Sequence, residues 1–375
     1  MSTTKIRFNN KDVADFVPEV RRRVAEYFES TGRSQKADGR MVFKTIVLLG
    51  SVLACYLLIL SGWFTPWQML ALAVLMGVGM AGVGFSVSHD ALHGAYSSNR
   101  RVNELLGYSF DALGANGCMW KITHNVIHHT YTNIHGVDED LSVSPLLRLS
   151  PEAPHLWFHR FQHVYGFFAY SLATLNWLFV KDYQQFLKKD IGPYTDKTHP
   201  RKEWVILIVG KLFAYLTMIV LPLLVLDITW WQFLIGFLAV HLTAGAILGI
   251  IFQLAHVVEG PEYPLPDEQG VMEHEWLIHE MHTTANFAAD NHLLSWYVGG
   301  LNYQIEHHLF PQICSIHYPA ISSIVRETAR EHGVPYHYNP TLRAAMRSHH
   351  RMLRRFGPEA ADRVRHERDV ERSAA

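Results

Sequence analysis

Histidines recur in short, regularly spaced groups along this chain of 375 residues, which contains 24 of them. The stretch SHDALHG places His89 and His93 four residues apart, and the stretch THNVIHHT places His124 and His128 at the same spacing. Residues four apart lie on one face of a helix, about 6 Å from each other, so both imidazoles of a pair can reach one metal ion. Imidazole-rich sites suit zinc, copper, iron or nickel. The spacing therefore predicts a metal centre.

Further histidines lie in apolar surroundings, where an imidazole needs a partner for each ring nitrogen. His129 directly follows the second pair, His256 ends the stretch IIFQLAH, and the stretch LNYQIEHHLFP contains His307 and His308. Together these eight histidines exceed the four ligands of one tetrahedral zinc ion, so two metal ions fit better. Spacing leaves the metal open: zinc would imply hydrolysis or a structural role, and iron would imply oxygen activation.

Carboxylates beside the histidines are the second feature of these motifs. Asp138 and Asp140 follow the second group, and they could accept the N–H bonds that orient metal-bound imidazoles. An ordinary acidic loop is the alternative for these two residues. The other candidates for a supporting role adjoin the histidines directly in the sequence: Asp90, Asn125 and Glu306.

Four apolar segments must position these groups, and each is long enough to cross a bilayer, which needs about 20 residues. They lie at about 41–60, 68–88, 204–226 and 229–251. We place a cytoplasmic N-terminal arm at 1–40, the membrane domain at 41–340 and a charged C-terminal tail at 341–375. The tail is expected to be solvated, so its pair His349 and His350 is excluded from the metal site. The sequence predicts an all-α integral membrane protein, with four transmembrane helices in two hairpins and a cytoplasmic helical cap that holds a di-metal site.

The distribution of basic residues predicts the orientation. The two short connections within the hairpins contain no Lys or Arg, whereas the N-terminal arm, the 90–203 segment and the C-terminal segment contain many. By the positive-inside rule, these three larger segments are cytoplasmic. All the histidine groups then fall on that side, although the rule makes no use of histidine. The termini and the metal site are expected in the cytoplasm, at the inner membrane of a bacterium or the endoplasmic reticulum of a eukaryote.

Two polar residues within the apolar segments need an explanation of their own. Lys211 lies about two turns from the cytoplasmic end of the third segment and is expected to extend its ammonium to the interface. His241 lies near the middle of the fourth segment, where a hydrogen-bonded helix contact is expected rather than a proton path.

The sequence also argues against several other classes of protein. A formal net charge of -1 and the lack of a basic stripe argue against nucleic-acid binding. The three cysteines form no C-x-x-C pair, which argues against a disulfide framework or a zinc ribbon. A G-x-G-x-x-G pattern at 77–82 lies inside the second apolar segment, where small residues favour helix packing over nucleotide binding. A metal transporter would need histidines through the spans, and only His241 lies within one.

The three groups HDALH, HNVIHH and QIEHH, set among four apolar segments, resemble the three histidine boxes of the membrane fatty-acid desaturases. The Q-x-x-H-H form of the last box resembles the front-end desaturases and related bacterial acyl-CoA or acyl-lipid desaturases. The resemblance covers roughly residues 40–340, and it includes the stretches TTANF (283–287) and GGLNYQIEHHLFP (299–311). Three ordered boxes with these flanks are more specific than any single motif.

The resemblance implies a non-haem centre of two iron ions that reduces O2 and removes two hydrogens from a fatty-acyl chain. By motif, the implied iron ligands are His89, His93, His124, His128, His129, His256, His307 and His308. Gln304 stands where many relatives have histidine, and it would bind iron directly or through water. Front-end desaturases often contain a fused cytochrome b5 domain with an H-P-G-G motif, which does not occur here. Electrons are therefore expected from a separate protein of the cytochrome b5, ferredoxin or rubredoxin type.

The nearest alternative is a hydroxylase or another oxygenase of the same superfamily, because such enzymes use similar boxes. The Q-x-x-H-H and TTANF stretches favour desaturation. The position of the new double bond, the chain length, the acyl carrier and the electron donor stay open.

Overall fold

Four apolar helices form the membrane part of this protein. The computed structural model describes residues 6–9, 15–141 and 145–358. The spans are Gly39–Leu60, Pro66–Leu92, Arg201–Val225 and Trp230–His256. This confirms the four predicted spans, of which the second and fourth extend further at their C-terminal ends than predicted. Both continue beyond the apolar stretch, so that His89 and His256 lie in the last turns of membrane helices.

The same capping motif begins the second helix of each hairpin. Thr65 and Thr229 begin the second and fourth spans as N-caps, and the residue three positions later is Gln68 in one hairpin and Gln232 in the other. In both capping boxes the glutamine Oε1 accepts the backbone N–H of the threonine, at 2.9 Å. Backbone N–H groups at the start of a helix have no carbonyl acceptor from an earlier turn, and these side-chain contacts satisfy some of them.

The helical cap joins the ends of the spans that bear the histidines. Its helices are Phe16–Thr31, Arg100–Ala112, Gly117–Trp120, Gln162–Ser171, Ala173–Asn176, Asp182–Leu187, Trp276–Thr283, His292–Tyr297, Gln304–Leu309, Tyr318–Glu331 and Leu342–Phe356. Two 3-10 turns occur at Trp157–Phe161 and Ser315–His317. The described residues contain two short parallel strand pairs, Arg7–Phe8 with Val271–Met272 and Ala285–Phe287 with His337–Asn339.

Several helices contain π-helical turns, with backbone bonds from residue i+5 back to residue i. These turns are Gly84–Ser88, Lys121–His128, Trp177–Lys181 and Leu216–Val220. The first leads directly into His89, and the second contains His124 and His128. We expected an ordinary α-helix for that second pair. Such wider turns are rare and are frequently found at functional sites.

The second span packs tightly between its neighbours, and its glycines allow this. A Cβ atom on Gly77 would lie 2.6 Å from the carbonyl oxygen of Val240, and one on Gly82 would lie 2.8 Å from the side chain of Leu48. The pattern G-x-G-x-x-G therefore serves helix packing, as predicted. Gly245 of the fourth span makes a closer approach still, because its Cβ would lie 2.2 Å from the carbonyl oxygen of Ser171.

The prediction for Lys211 is wrong. This residue is buried, and its Nζ lies 2.7 Å from Oδ2 of Asp182 and 2.8 Å from the carbonyl oxygens of Gly114 and Trp177. The partner carboxylate comes from the cap, so the ammonium is paired within the protein rather than at the lipid surface.

His241 behaves as predicted, since its Nδ1 lies 3.2 Å from Oγ1 of Thr174 in a helix contact.

The prediction of a solvated tail is wrong for Leu342–Phe356. This segment is a helix whose buried face includes Ala345, His349 and Leu353. Its apolar residues are spaced three and four apart, so they form one buried face of the helix. The arginines between them make the stretch look uniformly charged in the sequence. The rest of the tail, 359–375, lies outside the described residues. His349 is not part of the histidine clusters described below.

The contact between the fourth span and the cap provides a test of this packing. We expect Gly245→Ala to lower the melting temperature by several degrees, because the added methyl group would overlap the Ser171 carbonyl oxygen. Gly236→Ala on the same helix is the matched control, since nothing lies within 4 Å of its Cβ position. The control should match or slightly exceed the wild type, because alanine is the better helix former. Equal melting temperatures for the two variants in detergent would contradict the close approach.

Candidate metal centre

Seven of the predicted histidines form two clusters where the membrane helices meet the cap. The first cluster comprises His89, His93, His124 and His307, and the second comprises His128, His256 and His308. Within each cluster, one ring nitrogen from every member lies within 4.8 Å of the others. Residues far apart in the sequence therefore meet in two places, as two metal ions would require.

His129 lies between the two clusters. Its ring centroid is 4.5 Å from that of His307 in the first cluster and 4.3 Å from that of His308 in the second. Neither of its ring nitrogens has a hydrogen-bond partner among the described residues. The eighth predicted ligand is thus buried within reach of either cluster.

Most of these rings are held through Nδ1. The carboxylate of Asp140 lies 2.9 Å from Nδ1 of His124, and that of Asp138 lies 3.0 Å from Nδ1 of His128. The remaining Nδ1 contacts are His89 with Asp90 at 3.4 Å, His256 with the Thr283 carbonyl oxygen at 3.3 Å, His307 with the Tyr318 hydroxyl at 3.2 Å and His308 with Glu280 at 2.7 Å. Such contacts fix the ring orientation and favour the proton on Nδ1.

The opposite nitrogens are left without partners. Within the two clusters, buried Nε2 atoms that form no hydrogen bond to a described residue occur in His89, His93, His124, His256, His307 and His308. Leaving a buried polar atom unpaired costs about 1–3 kcal/mol, so six together would be a large penalty. Bound metal cations would remove this penalty, because neutral imidazole nitrogens are good ligands for them. The residues present therefore fit a pair of metal ions.

Burial sets the charge state of these groups. It lowers the pKa of His129, His307 and His308 well below the ordinary value, and the neighbouring histidines lower it further. These imidazoles are consequently neutral, which is the form that binds metal. Burial also disfavours the charged form of His128, but the carboxylate of Asp138 more than compensates and raises the pKa to about 9.

The predicted supporting residues divide into two groups. Asp138, Asp140 and Asp90 contact histidine rings as expected. Asn125 instead donates to the carbonyl oxygen of Leu92 at 2.9 Å. Glu306 accepts hydrogen bonds from Asn286 at 2.7 Å and from Tyr336 at 2.9 Å, and neither residue belongs to a cluster.

Gln304 is buried one helical turn before the last histidine pair, and it was predicted to bind metal directly or through water. Its Nε2 has no hydrogen-bond partner among the described residues. A buried amide in this position can be satisfied by water or by a ligand. Its role as a ligand stays a prediction.

Glu280 is a supporting residue that the motifs did not reveal. It is fully buried in the helix Trp276–Thr283, and it contacts both Nδ1 of His308 and the hydroxyl of Thr132, the latter at 2.8 Å. Burial raises the pKa of this carboxyl group well above its ordinary value. The available signal was a glutamate within the largely apolar stretch WLIHEMHT.

A cavity of about 260 Å³ lies beside the second cluster, and His128 and His256 form part of its wall. Much of the remaining wall is apolar, and it includes Leu147, Leu248 and Phe252. Trp120 also lines it and stacks on the ring of His124, with a centroid distance of 4.3 Å. An apolar cavity that reaches histidine clusters suits a hydrophobic substrate.

Comparison with known proteins agrees with this geometry. A family model described as "Fatty acid desaturase" matches residues 65–340. The chain is 36% identical over 358 residues to the sn-1 linoleoyl-lipid 6-desaturase of Arthrospira platensis, which covers 95% of each chain. It is 35% identical over 361 residues to the enzyme of the same name from Synechocystis sp., which covers 95% of this chain and 99% of that one.

A more distant relative contains additional sequence. The acyl-lipid (8-3)-desaturase of Physcomitrium patens is 34% identical over 354 residues, which cover 94% of this chain and 74% of the relative. The matched region of all three relatives includes the histidine clusters and the four spans. The chain therefore belongs to the fatty acid desaturase family, and it is a membrane-embedded desaturase.

Proposed function

We propose that this protein is an O2-dependent acyl-lipid desaturase with two iron ions and that it introduces a double bond into a linoleoyl chain at position 6. The observation that carries the proposal is the set of unpaired imidazole nitrogens beside an apolar cavity. The substrate and the position are those that the Arthrospira and Synechocystis relatives are named for. The protein's histidines supply the metal ligands.

Iron, when bound, supplies the capacity to activate O2 and to break unactivated C–H bonds. The overall reaction converts CH2–CH2, O2, two electrons and two protons into CH=CH and two water molecules. The two electrons come from a separate one-electron donor protein of the cytochrome b5, ferredoxin or rubredoxin type. We propose that His89, His93, His124, His307 and His129 surround one metal position and that His128, His256 and His308 surround the other, with Gln304 nearby.

The surrounding residues hold this arrangement. The carboxylates of Asp140 and Asp138 and the carboxyl group of Glu280 fix the rings of His124, His128 and His308 through Nδ1, so that each Nε2 is available to a metal. The walls of the cavity exclude water and position an acyl chain beside the clusters. Water exclusion protects a reactive metal centre from side reactions.

A bilayer lipid is the acyl carrier that we favour over acyl-CoA or acyl carrier protein. The cavity is bounded by the fourth span and by the helix Gln162–Ser171 with the residues that follow it. That helix has strongly exposed apolar side chains, including Val164 at 73% and Phe168 at 63%. Such a helix is suited to lie in the membrane surface. A lipid chain could then enter from the bilayer without leaving it.

The metal centre is proposed to face the cytoplasm. The spans begin or end on the side of the cap, and the segments on that side contain the many Lys and Arg residues. This agrees with the positive-inside rule. A soluble electron donor could therefore reach the cap directly.

Expression in a host that makes linoleoyl lipids but lacks a 6-desaturase tests the reaction. We expect a new triunsaturated C18 species with its added double bond at position 6, identified by gas chromatography of fatty-acid methyl esters with double-bond localisation. A hydroxylated product would instead support the alternative oxygenase. If co-expression of ferredoxin or cytochrome b5 yields neither product, the proposed reaction is wrong.

The ligand assignment predicts different outcomes for histidines that look similar in the sequence. We expect His128→Ala and His307→Ala to lose bound iron and to reduce product to the detection limit, because each removes one ligand from a cluster. His350→Ala is the matched control and should keep both iron and activity. Iron content is measured by mass spectrometry of the purified protein. Full iron content in either cluster variant would refute its assignment.

Glu280 is expected to act through His308. Because an amide cannot ionise to strengthen its bond to the His308 ring when a metal cation binds that ring, Glu280→Gln should lower metal affinity about 10–100-fold, as measured by competition with a chelator. Glu262→Gln is the control, since Glu262 is exposed and its partner, His282, lies outside the clusters. Similar affinities in the two variants would show that the contact of Glu280 with His308 has no influence on the metal.

A further inference from the structure

The cavity beside the second histidine cluster is polar at one end. Asp138, Asp140 and Lys181 line it together with the apolar residues described above. Lys181 is the only Lys or Arg among the described residues that line this cavity. A lysine in such a place calls for an explanation, because the proposed acyl chain itself is uncharged.

The ammonium of Lys181 lacks hydrogen-bond partners. Its side chain is only 15% exposed, and its nearest carboxylate oxygen, Oδ1 of Asp140, is 4.0 Å away, which is beyond hydrogen-bond distance. No other described residue accepts a hydrogen bond from it. An ammonium group has three N–H donors, and no described residue lies within hydrogen-bond distance of those of Lys181. The group is therefore ready to donate to a molecule within the cavity.

The backbone that supports Lys181 is firmly held. Lys181 ends the π-helical turn that begins at Trp177, and the carbonyl oxygen of Trp177 accepts a hydrogen bond from Lys211 at 2.8 Å. Asp182, the next residue, pairs with the same Lys211 at 2.7 Å. This buried ion pair fixes both ends of the turn. The cation consequently has a defined position relative to the metal centre.

That position is close to the first histidine cluster. Oδ1 of Asp140 is 4.0 Å from Lys181, and Oδ2 of the same carboxylate is 2.9 Å from Nδ1 of His124. One carboxylate thus separates the cation from a cluster ring. A group bound to Lys181 would leave only a short length of acyl chain between itself and the clusters.

We propose that Lys181 donates a hydrogen bond to the ester carbonyl oxygen at the carboxyl end of the substrate's acyl chain. Anchored there, the chain places a fixed number of carbons between its ester and the histidine clusters. Lys181 thereby determines the double-bond position by counting from the carboxyl end. This inference rests on the proposed acyl-lipid desaturation and names the residue that recognises its substrate.

Binding to a pair of lipids tests this role without any turnover. The full-length protein is loaded with zinc, which is redox-inert, and its affinity is measured for a diacyl glycerolipid and for the matching ether lipid, which lacks the carbonyl oxygen. We expect the wild type to prefer the ester about tenfold, as one hydrogen bond from a charged group predicts. Lys181→Met should remove the preference and leave ether-lipid affinity unchanged, whereas Lys181→Arg should retain it. Lys188→Met, at an exposed lysine of the same region, is the control.

The double-bond position provides a second readout. Iron-loaded Lys181→Met should give a mixture of positional isomers, and Lys188→Met should give one. Equal binding of the two lipids by the wild type would overturn the proposal. The proposal would also be overturned if Lys181→Met lost ester-lipid and ether-lipid affinity equally while its zinc content stayed unchanged. That result would mean that Lys181 acts only as a structural partner of Asp140. If the wild type shows the ester preference but never desaturates a lipid, the proposed function fails while the ester site stands.

Discussion

The structure depends on one costly arrangement, the burial of many imidazole rings at the ends of apolar helices. Each ring needs a partner for both nitrogens, and a protein interior offers few. Here Nδ1 is satisfied by the protein in most rings, and Nε2 is left for a metal ion. Folding and metal binding are thus linked, because the same atoms that destabilise an empty centre provide its affinity. The carboxyl, carbonyl and hydroxyl groups that contact Nδ1 hold these rings in place.

The supporting contacts join segments that are distant in sequence. The carboxylate of Asp90 accepts hydrogen bonds from the backbone and the hydroxyl of Ser315, at 2.9 and 2.8 Å, and so links the first histidine box to the loop after the last one. Lys36 bridges the same two regions, since its Nζ lies 3.0 Å from the carbonyl oxygens of both Gly94 and Gln312. These polar contacts set the separation of the boxes more rigidly than apolar packing alone would, because hydrogen bonds are directional.

The membrane helices and the cap together form the cavity beside the second cluster. The cavity lies where the fourth span meets the cap, next to Gly249, whose Cβ would approach the side chain of Tyr170 to 2.8 Å. Small residues in the span let the cap come near enough to form the wall. The buried pair of Lys211 and Asp182 then fixes the turn that presents Lys181. The shape of the cavity and the proposed substrate site therefore depend on the contacts between the membrane helices and the cap.

The sequence by itself determined the four spans, the hairpins and the histidine boxes, because apolar length and four-residue spacing are local properties. Asp138 and Asp140 were also predictable, since they follow their histidines closely. Only the tertiary structure decided how the histidines divide into two clusters, that Glu280 contacts His308 and that Lys211 pairs with Asp182. It also decided that Leu342–Phe356 is buried. These features depend on side chains far apart in sequence, whose proximity no local pattern encodes.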